Sequence, residues 1–285
     1  MSSSERPKST LFDDLKTRTG VAIVMAVVSF GFLWVGGLPF ALFMGVVALM
    51  MLLEFTSLIR SDCDLQDLPK MALIGFGAAS VVAMSVSVAW FFGVAGAGLL
   101  IAATLNSKFI RTTTPVGYAL IVIGAAGAVF LRDLPLGFAL VFWIVLCVIA
   151  ADIGGYAFGR LLQGPKLIPS ISPKKTWSGF LGGVVLAVLV ALIYSFISGG
   201  STANLILFGA LISVVSVAGD LLESSAKRKF GVKDASNFLP GHGGFLDRLD
   251  GMTAVMVLFA ALALFVDLGA VFLPDYVAPL SGDGL

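Results

Sequence analysis

Charge is scarce in this chain. Asp, Glu, Lys and Arg make up 12% of its 285 residues, where soluble domains carry about 25%. That shortage excludes an ordinary soluble domain. Histidine occurs once, as His242, and cysteine twice, as Cys63 and Cys147. Two cysteines exclude a multi-cysteine metal site or a disulfide framework. They do not suit one bridge either, since Cys63 lies in a polar loop and Cys147 deep in an apolar run. The GxxxxGK[ST], HExxH and GxSxG patterns are missing. No cleavable signal segment is expected, because residues 1–18 are polar and no small-residue cleavage site follows them. The first ten residues are expected to be disordered.

What fills the chain is hydrocarbon. Apolar residues make up 58% of it, in runs close to the ~20 residues that span ~30 Å of bilayer. The runs are continuous rather than alternating, so helices are expected and not a barrel. We read spans at 20–37, 39–59, 71–91, 94–107, 116–131, 136–158, 177–197, 203–222 and 251–272, with a turn at Gly93–Gly98. The predicted fold class is an all-α polytopic membrane protein of about nine transmembrane helices. Placing the N-terminus in the cytoplasm puts every Lys and Arg except Arg132 in inside segments, as the positive-inside rule asks. The C-terminus is then outside. The expected organisation is a cytoplasmic tail (1–18), N-terminal helices (19–135), a catalytic membrane region (136–273) with cytoplasmic loops 160–176 and 223–250, and a C-terminal tail (274–285). The 33 glycines suit close helix packing in lipid; they permit a homodimer without requiring one.

Ionisable residues inside apolar runs are costly and are functional candidates by default. Four acidic ones occur: Glu54, Asp152, Asp220 and Asp267. Asp267 reads as a surface anchor and Glu54 as the partner of a basic loop residue. Asp220, Glu223 and Lys227 share one helix face by spacing. That face is either a solvated helix end or a set of ligands facing a polar cavity. Asp247 and Asp250 are three apart at the start of the last span, behind Gly243 and Gly244. Two such carboxylates can bind a hard cation through oxygen, or simply favour a helix N-terminus.

The remaining charge is concentrated in two loops. Loop 160–176 carries Arg160, Lys166, Lys174 and Lys175 and no acidic residue. Topology alone accounts for Arg160. The run Ser172-Pro173-Lys174-Lys175-Thr176, just before a helix near Trp177, also reads as a phosphate site. Segment 223–250 holds His242 among glycines, which let backbone approach a ligand closely. Carboxylates for a hard metal plus lysines for phosphates are what phosphoryl or nucleotidyl transfer needs.

Those residues resemble a known family. Ser224-x-x-Lys227-Arg228-x4-Lys233-Asp234-x-Ser236-x2-Leu239-Pro240-x-His242-Gly243-Gly244-x2-Asp247-Arg248-x-Asp250 closely resembles the signature of the CDP-diacylglycerol synthases, or phosphatidate cytidylyltransferases. Ala151-Asp152, Tyr156, Gly159-Arg160 and Ser172 to Gly179 form a second matching block. The resemblance covers the C-terminal half; the N-terminal half matches only as apolar helices. It implies transfer of CMP from CTP to phosphatidate, with release of pyrophosphate and dependence on Mg²⁺, a second cation being left open. It implies Asp152, Asp220, Asp247 and Asp250 as metal ligands, and Asp220, Lys227, His242, Asp247 and Asp250 as catalytic residues. Ser172, Lys174, Lys175, Thr176, Arg228, Lys233, Asp234 and Arg248 are implied to bind substrate. For His242 the reading leans to a hydrogen-bond donor rather than a base. The expected partners are CTP, phosphatidate and membrane lipids, with no nucleic acid. The expected location is a bacterial inner membrane with the site facing the cytoplasm. The other readings are a different CTP-dependent lipid enzyme, or an ion-coupled transporter with Asp152 and Asp220 as carriers.

Overall fold

The computed structural model describes residues 11–59, 68–104, 108–229, 231–232, 236 and 243–269. The expectation for residues 1–10, and the placements of Cys63, Lys233, Asp234 and His242, fall outside the described residues. Among those described there are nine helices, in the order the apolar runs predict: α1 (Leu11–Val35), α2 (Gly37–Ile59), α3 (Leu68–Met84), α4 (Val88–Thr104), α5 (Lys108–Asp133), α6 (Gly137–Leu162), α7 (Trp177–Ser198), α8 (Thr202–Lys229) and α9 (Leu246–Leu262). Five are long and apolar enough to cross a membrane, at Gly37–Leu58, Pro115–Asp133, Gly137–Leu162, Trp177–Ser198 and Thr202–Lys229. The chain is an all-α polytopic membrane protein. Its interior is apolar, with Leu52, Trp143, Ile144 and Phe259 buried together.

Several boundaries differ from the sequence reading. The break between α3 and α4 lies at residues 85–87, and Gly93, Gly96 and Gly98 are inside α4. Serines make this break. Ser85 Oγ donates to the Val82 carbonyl at 2.7 Å, and Ser87 Oγ accepts from the Trp90 amide at 3.3 Å, satisfying groups that helix ends leave open. Gly98 instead makes room for Tyr118 of α5, which a Cβ would strike.

Helix α8 runs to Lys229, well past its apolar part, so the first residues of the 223–250 segment are helical. Helix α9 ends at Leu262, short of the expected 272, and Asp267 accepts the Gly269 amide in a local turn. The 160–176 loop contains an antiparallel hairpin, β1 (Lys166–Ile168) and β2 (Ser172–Thr176), that pairs Lys166 with Thr176 and Ile168 with Ser172. Strand β2 runs directly into α7, where the Thr176 hydroxyl caps the helix by accepting from the Gly179 amide at 3.1 Å.

Helices α6 and α7 meet through glycine. A Cβ on Gly154 would strike the Gly182 carbonyl and lie 2.9 Å from Gly183 Cα; a Cβ on Gly183 would lie 2.8 Å from the Ala151 carbonyl oxygen. Backbone, unlike a flexible side chain, cannot move aside. Overpacking of this kind costs about 1–3 kcal/mol. Gly154→Val is therefore expected to lower the thermal unfolding midpoint in detergent. Gly31→Ala, where nothing lies within 4 Å of the added Cβ, should hold or raise it.

Candidate active site

The site begins with another glycine contact. Helices α8 and α9 cross where Gly219 faces Asp250 and Gly251. A Cβ on Gly219 would lie 2.8 Å from the Asp250 carbonyl oxygen, and one on Gly251 would strike Ser216. Each of these glycines is next in sequence to an aspartate, Asp220 on α8 and Asp250 on α9. The close backbone approach therefore brings the carboxylates together. Ligand oxygens of Asp220, Glu223 and Asp250 lie within 4.8 Å of one another, the one group of that kind among the described residues. Glu223 belongs here because it follows Asp220 by three positions on the same helix face. The sequence reading placed it on that face but did not count it among the ligands; the spacing was the available signal.

Two lysines border the cluster. Lys175, on β2, reaches Asp220 with Nζ 2.6 Å from Oδ2. The hairpin thus folds the phosphate-like motif of the sequence over the end of α8. Lys227 lies between Glu223 and Asp247, at 2.6 and 2.8 Å. These three side chains are nearly enclosed: Lys227 and Asp247 are 11% exposed and Glu223 is 9% exposed. Asp247 also accepts the Gly244 amide at 3.1 Å. It sits in the first turn of α9, ahead of the predicted apolar span. Burial works to raise its carboxyl, but the bonds from Lys227 and the Gly244 amide outweigh that and hold it below the usual carboxylate range.

The acidic cluster suits a hard cation. No hydrogen-bond donor reaches the buried Glu223 Oε1 among the described residues, although a buried carboxylate oxygen normally has a partner. Oxygen donors from three carboxylates are the ligand set of Mg²⁺ or a similar ion. Asp220, Glu223 and Asp250 are the residues that could hold it. Asp152, on α6, opens to the surface beside this group, within electrostatic reach of Asp220, Lys175 and Arg248.

The other residues picked out by sequence lie around the mouth. Lys174 is exposed on β2, and Ser172 is half-buried at the start of that strand. Thr176 is buried as the cap of α7. Arg228 is exposed and donates to the carbonyls of Ile171 and Val232, each at 3.4 Å, tying the end of α8 to the hairpin turn. Arg248 is exposed on α9. Lys233, Asp234 and His242 lie outside the described residues.

On its other side the cluster opens into an apolar groove of about 200 Å³. Phe55 and Leu58 of α2, Val116 and Leu120 of α5, and Leu222 and Ala226 of α8 line its walls. Glu223, Lys227 and Asp250 close its polar end. Apolar pockets closed by a few polar groups are where small-molecule ligands bind. This one joins a hydrocarbon surface to a charged centre.

Comparison with known proteins agrees with this chemistry. A family model described as the cytidylyltransferase family matches residues 16–266. The chain is 36% identical over 272 residues to a phosphatidate cytidylyltransferase of Brucella abortus, covering 94% of this chain and 98% of that protein. It is 36% identical over 276 residues to a phosphatidate cytidylyltransferase of Pseudomonas aeruginosa, covering 90% and 99%. A shorter match, 44% identical over 113 residues, is to a phosphatidate cytidylyltransferase of Mycobacterium bovis and covers 39% and 37%.

The Lys227 network yields a stability test. Removing one partner of an enclosed ion pair strands the other and costs about 3–5 kcal/mol. Lys227→Met, which leaves both Glu223 and Asp247 without this cation, is expected to destabilise by that order. Lys229→Met, at the exposed end of α8, should change stability by less than about 0.5 kcal/mol. Chemical denaturation of both variants in the same detergent reads the difference.

Proposed function

The chain belongs to the cytidylyltransferase family, and from that premise we propose that it is a phosphatidate cytidylyltransferase. It would transfer CMP from CTP to phosphatidate, giving CDP-diacylglycerol and pyrophosphate. The observation that carries this reading is the apolar groove that ends on Glu223, Lys227 and Asp250. A lipid with a phosphate headgroup can leave its tails in hydrocarbon there while the phosphate meets the charged centre.

In the reaction, an oxygen of the phosphatidate phosphate attacks the α-phosphorus of CTP. A new P–O bond forms, the bond from the α-phosphorus to the bridging oxygen breaks, and pyrophosphate leaves with that electron pair. The attacking oxygen already carries negative charge, so little general base is needed. The difficulty is bringing two polyanions together, which makes positioning and charge neutralisation the main tasks of the protein. We assign the cation to Mg²⁺, held by Asp220, Glu223 and Asp250 with Asp152 close by; when bound it offsets charge on the phosphates and on the leaving pyrophosphate. Lys174, Lys175 and Arg228 face the open side and are assigned to the triphosphate. Lys227 holds Glu223 and Asp247 in place at the groove end.

The distribution of Lys and Arg supports a site on the cytoplasmic face of a bacterial inner membrane, where CTP is available. The alternative of an ion-coupled transporter is less well supported. It would set its carboxylates near the bilayer midplane and has no use for the Lys175 hairpin over Asp220.

The purified protein in detergent, given phosphatidate, CTP and Mg²⁺, is expected to release pyrophosphate and form CDP-diacylglycerol. Asp250→Asn should lower turnover by at least about 100-fold while leaving the unfolding midpoint near that of the parent. No pyrophosphate release with any divalent cation would refute the enzyme reading. Near-normal turnover in Asp250→Asn would refute the site assignment.

A further inference from the structure

Glu54 lies in the apolar helix α2, about a turn and a half before its end at Ile59, and is 1% exposed. A carboxylate buried there is costly unless it is well bonded. The sequence suggests a basic loop residue as its partner. Among the described residues its partners are a hydroxyl and two backbone amides. Oε1 accepts from Ser236 Oγ at 2.6 Å and from the Phe245 amide at 2.9 Å; Oε2 accepts from the Leu246 amide at 2.8 Å. These bonds join parts of the chain 182 to 192 residues apart.

The amides belong to the first turn of α9, whose own N-cap residue, Phe245, supplies no side-chain cap. Glu54 therefore caps α9 from another helix, with its charge at the positive end of the helix dipole. The approach is close enough to dictate sequence. A Cβ on Gly244 would lie 2.5 Å from Glu54 Oε2, and Gly243 adopts φ +83°, where L side chains are strained. Asp247 follows Leu246 directly, and Asp250 lies one turn further along α9.

We propose that Glu54 is a positioning residue for the transfer reaction. By fixing Ser236 and the start of α9 to α2, it sets where Asp247 and Asp250 stand relative to Asp220 and Glu223. It touches no substrate in this account, and its catalytic effect rests on the phosphatidate cytidylyltransferase reading. Gln is nearly the same size as Glu but turns one acceptor into a donor, which would confront an amide N–H.

The test compares wild type and Glu54→Gln in lipid nanodiscs, measuring kcat, KM for CTP and amide hydrogen exchange. Small misplacements of reacting groups cost up to about 100-fold in rate, so kcat is expected to fall about 10- to 100-fold. KM for CTP should change less than about threefold, since ground-state binding is not what is lost. Exchange in peptides covering 243–250 should rise, while peptides of α6 and α7 should not change. Wild-type kcat in folded Glu54→Gln overturns the proposal, and so does exchange that rises equally in α6 and α7. If Glu54→Gln does not fold, Ser236→Ala removes one of the three bonds. It should lower kcat by about two- to fivefold, the worth of one such bond or less; unchanged kcat overturns the proposal. Wild-type protein that forms no pyrophosphate refutes the functional reading instead. The exchange contrast then supports or overturns the clamp on α9 by itself.

Discussion

Everything at this site depends on holding like charges together at the end of an apolar bundle. Asp220, Glu223 and Asp250 bring oxygens within 4.8 Å of one another. Were all three ionised, each such pair would repel by about 3 kcal/mol at an effective dielectric constant of ~20. The arrangement persists because backbone packing imposes it and cations relieve it. Gly219 and Gly251 let α8 and α9 come close enough to juxtapose the aspartates next to them. Lys175 relieves the outer side through Asp220, and Lys227 the inner side through Glu223 and Asp247. The buried Glu223 Oε1, which no donor among the described residues reaches, marks where positive charge is still wanted.

The two approaches to this centre differ in kind. From one side it is reached past the β1–β2 hairpin and the exposed cations Lys174, Arg228 and Arg248, an environment for a polyphosphate. From the other it is reached along a groove walled by α2, α5 and α8, an environment for acyl chains. Transfer between a water-soluble nucleotide and a membrane lipid needs both. The N-terminal half of the chain, which carries no motif of its own, supplies part of the second approach through Phe55 and Leu58. It also supplies the one buried acid that anchors α9.

Much of the helical architecture is legible in the sequence, because apolar length obeys a strong constraint in lipid. What escaped was whatever hydropathy does not encode. Gly93, Gly96 and Gly98 read as a turn, yet all three lie within α4, where Gly98 gives Tyr118 its space. Helix α8 continues for about two turns beyond its apolar part, so composition ends it at 222 while the helix runs to Lys229. The short hairpin left no periodic signal over its three- and five-residue strands. Glu54 stands out in the sequence, but among the described residues its partners are the Ser236 hydroxyl and two backbone amides far along the chain, and an amide has no sequence letter. Glu223 shares the face of Asp220 by spacing, and the fold is what puts it beside both Asp220 and Asp250.

The central claim is that Asp220, Glu223 and Asp250 together hold a divalent cation at the meeting point of nucleotide and lipid. The most direct measurement is a structure of the protein with Mn²⁺ in place of Mg²⁺ and a non-hydrolysable CTP analogue, using the anomalous signal to locate the metal. The account predicts a metal peak within coordination distance of all three carboxylates. A peak elsewhere, or none beside a well-defined bound nucleotide, would contradict it.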